Sequence, residues 1–348
     1  MTRLTRRSFH AVAASAAVAA AVPLHATAAA PGELRPLGKT GLKVPAVGIG
    51  TNNFGGTLDA AGTKRVVDAA MDHGAILFDT ADVYGSGKSE EFLGQALGAK
   101  RKNAIIATKF GNPMRGSQFP EGGASRALIM SAVETSLKRL GTDYIDLYQI
   151  HRPDPQTPIE ETLRAMDDLV KQGKVRFIGH SNFTGALAEE AAQVAAANKL
   201  TPFISAQNHY SLLTRDIEAD LVPAVVKHGL GVLPYFPLES GMLTGKYKRD
   251  EAPPEGSRLA NWSKRGPGVT ERFMSDDKFT KVEKLTALAE ASGTTVLHMA
   301  FGWLLNKPYI GSVIAGATKP EQVESNVKAA QWRPSATVDA EIDKITRG

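Results

Sequence analysis

The chain has 348 residues, of which 43% are hydrophobic and 22% are charged. These proportions are typical of a folded globular protein and exclude an extensively disordered or collagen-like one. The absence of cysteine excludes disulfides, thiolate metal sites and lipid attachment to cysteine. The net charge of +5 is modest and no basic stripe with interleaved aromatic residues is present, so we expect no nucleic-acid partner.

The first 30 residues resemble a bacterial export signal. Three arginines and no acid precede a nearly continuous run of Ala and Val over 11–22, and small residues follow over 26–30. The paired Arg6 and Arg7 are typical of a twin-arginine signal, and the apolar run is shorter than the about 20 residues of a membrane span. We therefore predict a twin-arginine-type signal peptide over 1–30, recognised by export machinery, and a periplasmic or secreted protein. The alternative is an amphipathic N-terminal helix.

The rest of the chain alternates short β-rich segments with longer helical ones. The predicted strands span 44–50, 76–79, 104–109, 144–151, 175–181, 204–208, 231–237 and 312–315. The predicted helices span 60–73, 89–97, 125–140, 159–172, 184–198, 216–228, 278–291, 294–305 and 320–330. Four glycines (Gly74, Gly141, Gly173 and Gly229) follow helical segments, and Thr184 and Thr294 occupy N-cap positions.

Eight strand–helix units predict the fold class α/β, as a single-domain (β/α)8 TIM barrel over 31–348. Parallel strands in this number close on themselves and leave no edge. A doubly wound open sheet is the structural alternative.

One connection is much longer than the others. The loop 238–277 is rich in Gly, Pro, Arg and Ser and follows the seventh strand. Loops of this length are usually functional or disordered, so we predict a lid over the barrel mouth, with a mobile insertion as the alternative.

Polar side chains stand at the carboxyl ends of the strands, where barrels carry their active sites. Lys109 closes an apolar strand and is costly to bury without a carboxylate, which Asp79 on the neighbouring strand supplies. This pair alone could be purely structural. Tyr84 on the following loop and His151 on the next strand extend it to an acid–base group, in which a cation near Tyr84 lowers the pKa of its phenol from about 10.

Segments around these residues resemble the signature segments of the aldo-keto reductases. They follow one another in the order 78–85 (FDTADVYG), 107–111 (ATKFG), 146–151 (DLYQIH), 179–183 (GHSNF), 207–213 (QNHYSLL), 235–238 (YFPL) with 241–247 (GMLTGKY), and 316–322 (GATKPEQ). The resemblance spans about residues 34–331 and is specific because seven segments occur in the right order.

The resemblance implies an NADP-dependent oxidoreductase that reduces an aldehyde or ketone, or runs in reverse, with a small-molecule carbonyl or alcohol substrate. Tyr84 would donate the proton, Asp79 and Lys109 would adjust the pKa of Tyr84, and His151 would orient the carbonyl. NADP(H) is the expected cofactor and NAD(H) the alternative. The implied cofactor contacts are Thr51, Ser181, Asn182, Gln207, Tyr235, Phe236, Leu238, Gly316, Thr318, Lys319, Gln322 and Asn326.

Within that set, Tyr235 would stack on the nicotinamide and Lys319 would meet the 2′-phosphate. Asn53, Phe54 and Trp262 are predicted to wall the substrate pocket. No metal site is predicted.

Three positions depart from the common pattern of the family. His180 stands where a small or apolar residue is usual, Phe236 where serine is usual, and His209 where an acid is more common. The four residues of the acid–base group are all present.

Other functions fit the sequence less well. The loop 82–89 (DVYGSGKS) resembles a phosphate-binding loop, but Asp82 stands where that pattern needs glycine. No His-Glu-x-x-His motif and no G-x-S-x-G elbow occurs, which disfavours zinc and serine hydrolases. A non-catalytic nicotinamide-binding regulatory module, as in channel-associated members of the same family, stays open as the alternative function.

Overall fold

The computed structural model describes residues 34–264, 270 and 273–347. The signal peptide predicted over 1–30 lies outside the described residues. The described chain begins with an antiparallel hairpin of β1 (Leu34–Pro36) and β2 (Lys43–Pro45). Eight further strands follow, namely β3 (Val47–Gly50), β4 (Leu77–Asp79), β5 (Ile105–Phe110), β6 (Ile145–Ile150), β7 (Val175–Ser181), β8 (Ser205–Gln207), β9 (Gly231–Val232) and β10 (Val313–Gly316).

These eight strands form a closed parallel sheet. Strand β10 pairs with β3, and from β3 to β9 each strand pairs with the one that follows it in the chain. The circle closes between the segments of β9 and β10, where Gly311 N donates to Val232 O and Ile314 N donates to Pro234 O, both at 3.0 Å. The (β/α)8 barrel is therefore confirmed, and the open doubly wound sheet is wrong because neither end strand is left as an edge.

Helices surround the barrel. Their bounds are α1 (Ala60–Asp72), α2 (Lys88–Leu97), α3 (Arg126–Leu140), α4 (Ile159–Lys171), α5 (Gly185–Asn198), α6 (Leu221–His228), α7 (Arg258–Ser263), α8 (Asp276–Ala291), α9 (Val296–Leu305), α10 (Pro320–Ala329) and α11 (Ala336–Arg347). Short 3-10 helices lie at Tyr84–Gly87, Gly98–Asn103, Asp216–Glu218 and Glu239–Thr244. None of the described helices is both long and apolar enough to cross a bilayer.

The predicted helix ends are mostly confirmed. Thr184 accepts a hydrogen bond from Leu187 N as the N-cap of α5, and Gly141 and Gly229 end α3 and α6 in left-handed conformations. The N-cap predicted at Thr294 is wrong, because the hydroxyl that accepts from His298 N belongs to Thr295.

Several elements differ from the sequence prediction. The first predicted strand, 44–50, is divided between the hairpin and the barrel, and the helix predicted over 216–228 is a 3-10 turn followed by α6. The loop 238–277 carries a 3-10 turn and α7 in its described part and ends where α8 begins. Its role as a lid stays a prediction.

Alternation along the strands decides which side chains point into the barrel. Leu77, Ala107 and Leu147 belong to a small apolar cluster, which also contains Leu37 and Val44 of the hairpin segment. Asp79, Lys109 and Gln149 lie two residues further along these strands. Their side chains therefore also face the barrel interior, at the carboxyl ends of the strands. The intervening residues face the helices and form the larger core.

His180 belongs to this outer core. It is fully buried, its ring stacks on Phe183 at 4.5 Å and meets Phe203 edge-on at 5.3 Å, and neither ring nitrogen has a hydrogen-bond partner in the described structure. Burial lowers the pKa of His180 to about 3. An imidazole thus fills an apolar position in its neutral form, which explains the departure at this position.

His180 makes stability depend on pH. The unfolded chain takes up a proton on His180 below its ordinary pKa of 6.5, whereas the folded chain does so only near pH 3, so stability is complete above pH 6.5 and decreases as pH falls toward 3. In the wild-type protein His180 lowers the free energy of unfolding by up to about 1.4 kcal/mol for each pH unit in this range, and we expect His180→Phe to abolish this contribution. Urea denaturation between these pH values measures it, with exposed His73→Gln as the control. An unchanged pH dependence in His180→Phe would contradict this account.

Candidate active site

The predicted acid–base group meets at the carboxyl ends of three adjacent strands. Asp79 ends β4, Lys109 lies near the end of β5, and His151 directly follows β6. In the parallel register Asp79 lies beside Ala107, two residues before Lys109, and Lys109 lies beside Gln149. The register therefore brings these side chains to one level of the barrel interior.

Asp79 and Lys109 form a buried ion pair. Lys109 Nζ lies 2.8 Å from Asp79 Oδ2 and donates to Thr80 O at 2.9 Å, and the two side chains are 0% and 4% exposed for the lysine and the aspartate. Gln207 Nε2 donates to Asp79 Oδ1 at 2.8 Å. Burial opposes the charge on Lys109, but Asp79 and Tyr84 outweigh it and raise the pKa of the lysine. Lys109 is therefore a fixed cation.

Tyr84 lies next to this cation. Lys109 Nζ is 5.1 Å from the centroid of the Tyr84 ring, so the charge of the lysine acts directly on the phenol. Burial raises the pKa of Tyr84 and Lys109 lowers it by less, so the net pKa is raised above its ordinary value of 10. The expectation of a lowered pKa is wrong in its net direction, because burial acts more strongly than the cation. Tyr84 holds its proton at neutral pH.

A tight turn presents Tyr84 to the barrel interior. Gly87 has φ of +95°, and a Cβ there would lie 2.5 Å from the guanidinium of Arg139. Arg139 Nη1 donates to Asp82 O at 3.2 Å and to Glu90 Oε2 at 3.3 Å. Glycine is favoured at 87 because φ is positive, and Arg139 packs against the turn and ties it to α2 and α3.

His151 faces Tyr84. The two rings meet edge-on with centroids 5.7 Å apart. Burial, followed by the charges of Lys109 and Arg152, holds the pKa of His151 well below its usual range. His151 is therefore neutral, and its Nδ1 is buried with no hydrogen-bond partner in the described structure.

Asp82 is an acidic neighbour that the sequence did not single out for this site. Burial and then Glu90 raise the pKa of Asp82 to about 7. Asp82 is part of the segment DTADVY, next to the predicted site residues. However, the burial that raises the pKa of Asp82 becomes visible only in the fold. A carboxyl group whose pKa is close to neutrality therefore lies two residues from Tyr84.

Four of the predicted cofactor residues form one connected group. Ser181 Oγ donates to Gln207 O at 2.7 Å, and Asn182 Nδ2 donates to His151 O at 3.0 Å. Tyr235 OH donates to Asn182 Oδ1 at 2.8 Å. Because Gln207 also binds Asp79, this group is joined to the ion pair through hydrogen bonds.

The start of the long loop packs as an aromatic cluster. Phe236 lies 6.1 Å from Trp262 and 6.3 Å from Phe273, centroid to centroid, and Leu238 packs against the same core. The Arg258 guanidinium lies 5.5 Å from the Phe236 ring and 5.8 Å from the Trp262 ring. Phe236 thus takes a packing role where serine was expected.

Arg258 is a further residue that the sequence did not identify. Burial lowers its pKa, and no carboxylate in the described part of the chain forms an ion pair with it. A Cβ on Gly316 would lie 3.2 Å from Arg258 Nη2 and 3.6 Å from Asn53 Nδ2. A desolvated guanidinium beside an exposed glycine suits an anionic group.

The remaining predicted contacts lie at the start of α10. Gln322 Oε1 accepts from Thr318 N at 2.7 Å and from Lys319 N at 3.2 Å, which fixes the turn before the helix. Lys319 is exposed, whereas Asn326 is buried. Gly316 pairs with Gly50 and Gly50 with Asp79, so this group lies two strands from the ion pair.

Two predicted contact residues, Thr51 and Phe54, are fully buried. Thr51 is fully buried, and its hydroxyl bonds Asp79 O at 3.1 Å and Ser89 Oγ at 2.8 Å. Phe54 is 0% exposed within the hydrophobic core. Both side chains support the loop that carries Asn53, and their contact roles stay predictions. In the described residues no His, Asp or Glu cluster is arranged to hold a metal.

The chain is similar to proteins of one family. The model of the aldo/keto reductase family matches residues 46–347. A relative named a probable voltage-gated potassium channel subunit beta, from Arabidopsis thaliana, is 37% identical over 89% of this chain and 94% of its own length. A putative subunit of the same name from Schizosaccharomyces pombe is 38% identical over 89% of each chain.

A bacterial relative has a different name. The aldo-keto reductase YhdN of Bacillus subtilis is 35% identical over 90% of this chain and 93% of its own length. The family match extends over the whole barrel, and the relatives are aligned over nearly their full lengths. On these grounds the chain belongs to the aldo/keto reductase family.

Proposed function

We propose that the protein is an NADPH-dependent oxidoreductase that reduces an aldehyde or ketone to an alcohol and can catalyse the reverse oxidation. The observation that carries this proposal is the protonated Tyr84 held beside the buried Asp79–Lys109 pair, with the ring of a neutral His151 edge-on to it. Proton donor, fixed cation and neutral hydrogen-bonding group are what carbonyl reduction needs on the oxygen side.

The roles follow from the charges of the residues. NADPH, when bound, supplies a hydride to the carbonyl carbon and becomes NADP⁺. Tyr84 donates its proton to the carbonyl oxygen, and Lys109 stabilises the phenolate that this leaves. His151, which is neutral, orients the oxygen through a ring N–H, and Asp79 keeps Lys109 charged and in place. In the reverse direction the phenolate accepts the alcohol proton.

The described residues suit a nicotinamide dinucleotide. Tyr235 offers a ring fixed through its hydroxyl, beside the amide groups of Asn182 and Gln207. Arg258 and Gly316 provide a cation and an open approach for the phosphates. Lys319 is an exposed cation at the start of α10, suited to a 2′-phosphate, where a helix N-terminus also favours anions.

Tyr84→Phe tests the proton donor. We expect turnover to fall by about 10²-fold or more because the acid is lost, while the dissociation constant of NADPH changes little because Tyr84 lies outside the proposed cofactor contacts. Steady-state rates with a simple aldehyde and fluorescence titration with NADPH measure the two quantities. Loss of NADPH binding would instead make Tyr84 a cofactor contact.

Lys319→Ala tests the preference for NADPH. We expect NADPH affinity to fall by about tenfold and NADH affinity to change much less, because only NADPH carries the 2′-phosphate. Lys328→Ala, at an exposed lysine near the other end of α10, is the matched control. Equal losses for both cofactors in Lys319→Ala would remove the assignment.

A second candidate is a regulatory nicotinamide-binding module. It is favoured by the names of two relatives, both described as voltage-gated potassium channel subunits. A panel of carbonyls and alcohols with both nicotinamides, run on the protein beginning at Pro31, distinguishes the two. Turnover of any member supports the enzyme and also reports direction and substrate class, whereas binding without turnover supports the module.

We propose that residues 1–30 export the protein, because Arg6 and Arg7 precede an apolar run. Replacing both arginines by lysine is expected to retain the protein in the cytoplasm of a bacterial host. Cell fractionation followed by immunoblotting measures the shift. Equal periplasmic amounts of the variant and the wild-type protein would contradict twin-arginine export.

A further inference from the structure

Glu239 is the centre of a buried hydrogen-bond network behind the proposed cofactor site. Its side chain has no exposed surface. Three groups donate to Oε1 at 2.7 Å, namely His209 Nε2, Ser211 Oγ and Thr214 Oγ1, and Lys278 Nζ lies 3.1 Å from Oε2. This carboxylate joins the start of the long loop to the segment after β8 and to α8.

The charge of Glu239 makes this network rigid. Burial alone would raise the pKa of the carboxyl, but His209, Lys278 and Ser211 outweigh it and lower the pKa to about 2. Glu239 is therefore ionised at neutral pH. Hydrogen bonds to a buried carboxylate are stronger than neutral ones, so the donors are held in defined positions.

His209, which Glu239 holds in place, in turn packs against Tyr235. The two rings are stacked, with centroids 5.5 Å apart and planes inclined by 17°, and the edge of Phe236 closes the group at 5.6 Å from His209. Tyr235 is also held by Asn208 O, which accepts from its backbone N at 3.1 Å, and by Asn182 at its hydroxyl. One ring face and the hydroxyl of Tyr235 are thus fixed by protein groups.

The backbone next to Tyr235 is strained. Phe236, Glu239 and Ser240 have φ angles of +52°, +45° and +56°. Left-handed conformations of residues other than glycine persist only where surrounding contacts hold them, and they cluster at functional sites. The bonds of Glu239 provide such contacts directly after Tyr235.

His209 and Glu239 are also matched in the sequence. His209 occupies the position before Tyr210, where the aldo-keto reductase pattern more commonly has an acid. In this chain Glu239 places a carboxylate next to that position, through its hydrogen bond with His209. The exchange keeps a carboxylate in the cluster and adds an aromatic ring behind Tyr235.

We propose that Glu239 and His209 form a positioning pair that fixes the ring of Tyr235 for stacking on the nicotinamide of the cofactor. The inference rests on the proposed function, in which Tyr235 contacts that ring. Both residues act through Tyr235. They lower the loss of conformational freedom that cofactor binding would otherwise cause in its side chain.

His209→Gln is the principal variant. The glutamine amide can donate to Glu239, so the buried carboxylate keeps its donors and the fold is retained, whereas the ring behind Tyr235 is lost. We expect the dissociation constant of NADPH, measured by fluorescence titration, to rise about tenfold. Glu218→Gln is the matched control, because Glu218 accepts hydrogen bonds from Tyr210 and Arg215 on the same segment and not from His209. Its dissociation constant should stay within about twofold of wild type.

A double-mutant cycle separates positioning from general stability. In a Tyr235→Leu background, His209→Gln should have no further effect on NADPH affinity, because the ring on which it acts is absent. Glu239→Gln, which keeps the shape but removes the charge, should weaken NADPH in the same coupled manner.

Three outcomes would overturn the inference. Equal NADPH affinity in wild type and His209→Gln would overturn the positioning pair alone. A tenfold loss that persists in the Tyr235→Leu background would show that the effect does not pass through Tyr235. Absence of NADPH binding to the wild-type protein would overturn the proposed function and, with it, this inference.

Discussion

The buried ion pair of Asp79 and Lys109 is the interaction on which the site depends. Two charges inside a barrel carry a large desolvation penalty, which is offset only when each is paired and hydrogen-bonded. Here Gln207 and Thr80 O supply the additional bonds. Loss of either charge would leave the other buried and unpaired, so the strands that carry them must keep their register for the fold to persist.

The same pair sets the chemistry around it. Lys109 stays charged because Asp79 and Tyr84 outweigh its burial, and this fixed cation then contributes to keeping His151 neutral. Burial still holds the proton on Tyr84. A cation, a neutral acid and a neutral hydrogen-bonding ring therefore coexist within one small volume, each stabilised by its neighbours. The contacts that stabilise the buried charges are therefore the same contacts that the proposed acid–base function requires.

Much of this arrangement could be predicted from the sequence because it follows from local patterns. Eight strand–helix units fix the barrel, and alternation along each strand places Asp79 and Lys109 on the inner face. The net pKa of Tyr84 could not be predicted, because its burial arises from residues distant in the chain. The complete burial of Phe54 could not be predicted either, because an aromatic residue in a loop can lie at a pocket wall or in the core.

Other features depended on contacts between distant segments. His209 was recognisable only as a departure from a pattern, and its partner lies 30 residues later. Arg258 stood within a loop that has few periodic residues, so its place beside Phe236 and Gly316 followed only from the fold. The acid–base group is thus a property of strand ends, while the proposed cofactor side depends on how the loop folds back.

A single-turnover measurement of hydride transfer tests directly whether Tyr84 is the proton donor. The complex of the protein with NADPH is mixed with a reactive aldehyde at a series of pH values, and loss of NADPH absorbance is followed. We expect a rate that is constant through neutrality and falls only above pH 10, because the pKa of Tyr84 is raised above its ordinary value of 10. A rate that falls near pH 7 would assign proton donation to Asp82, and no oxidation of bound NADPH by any carbonyl would contradict the enzyme altogether.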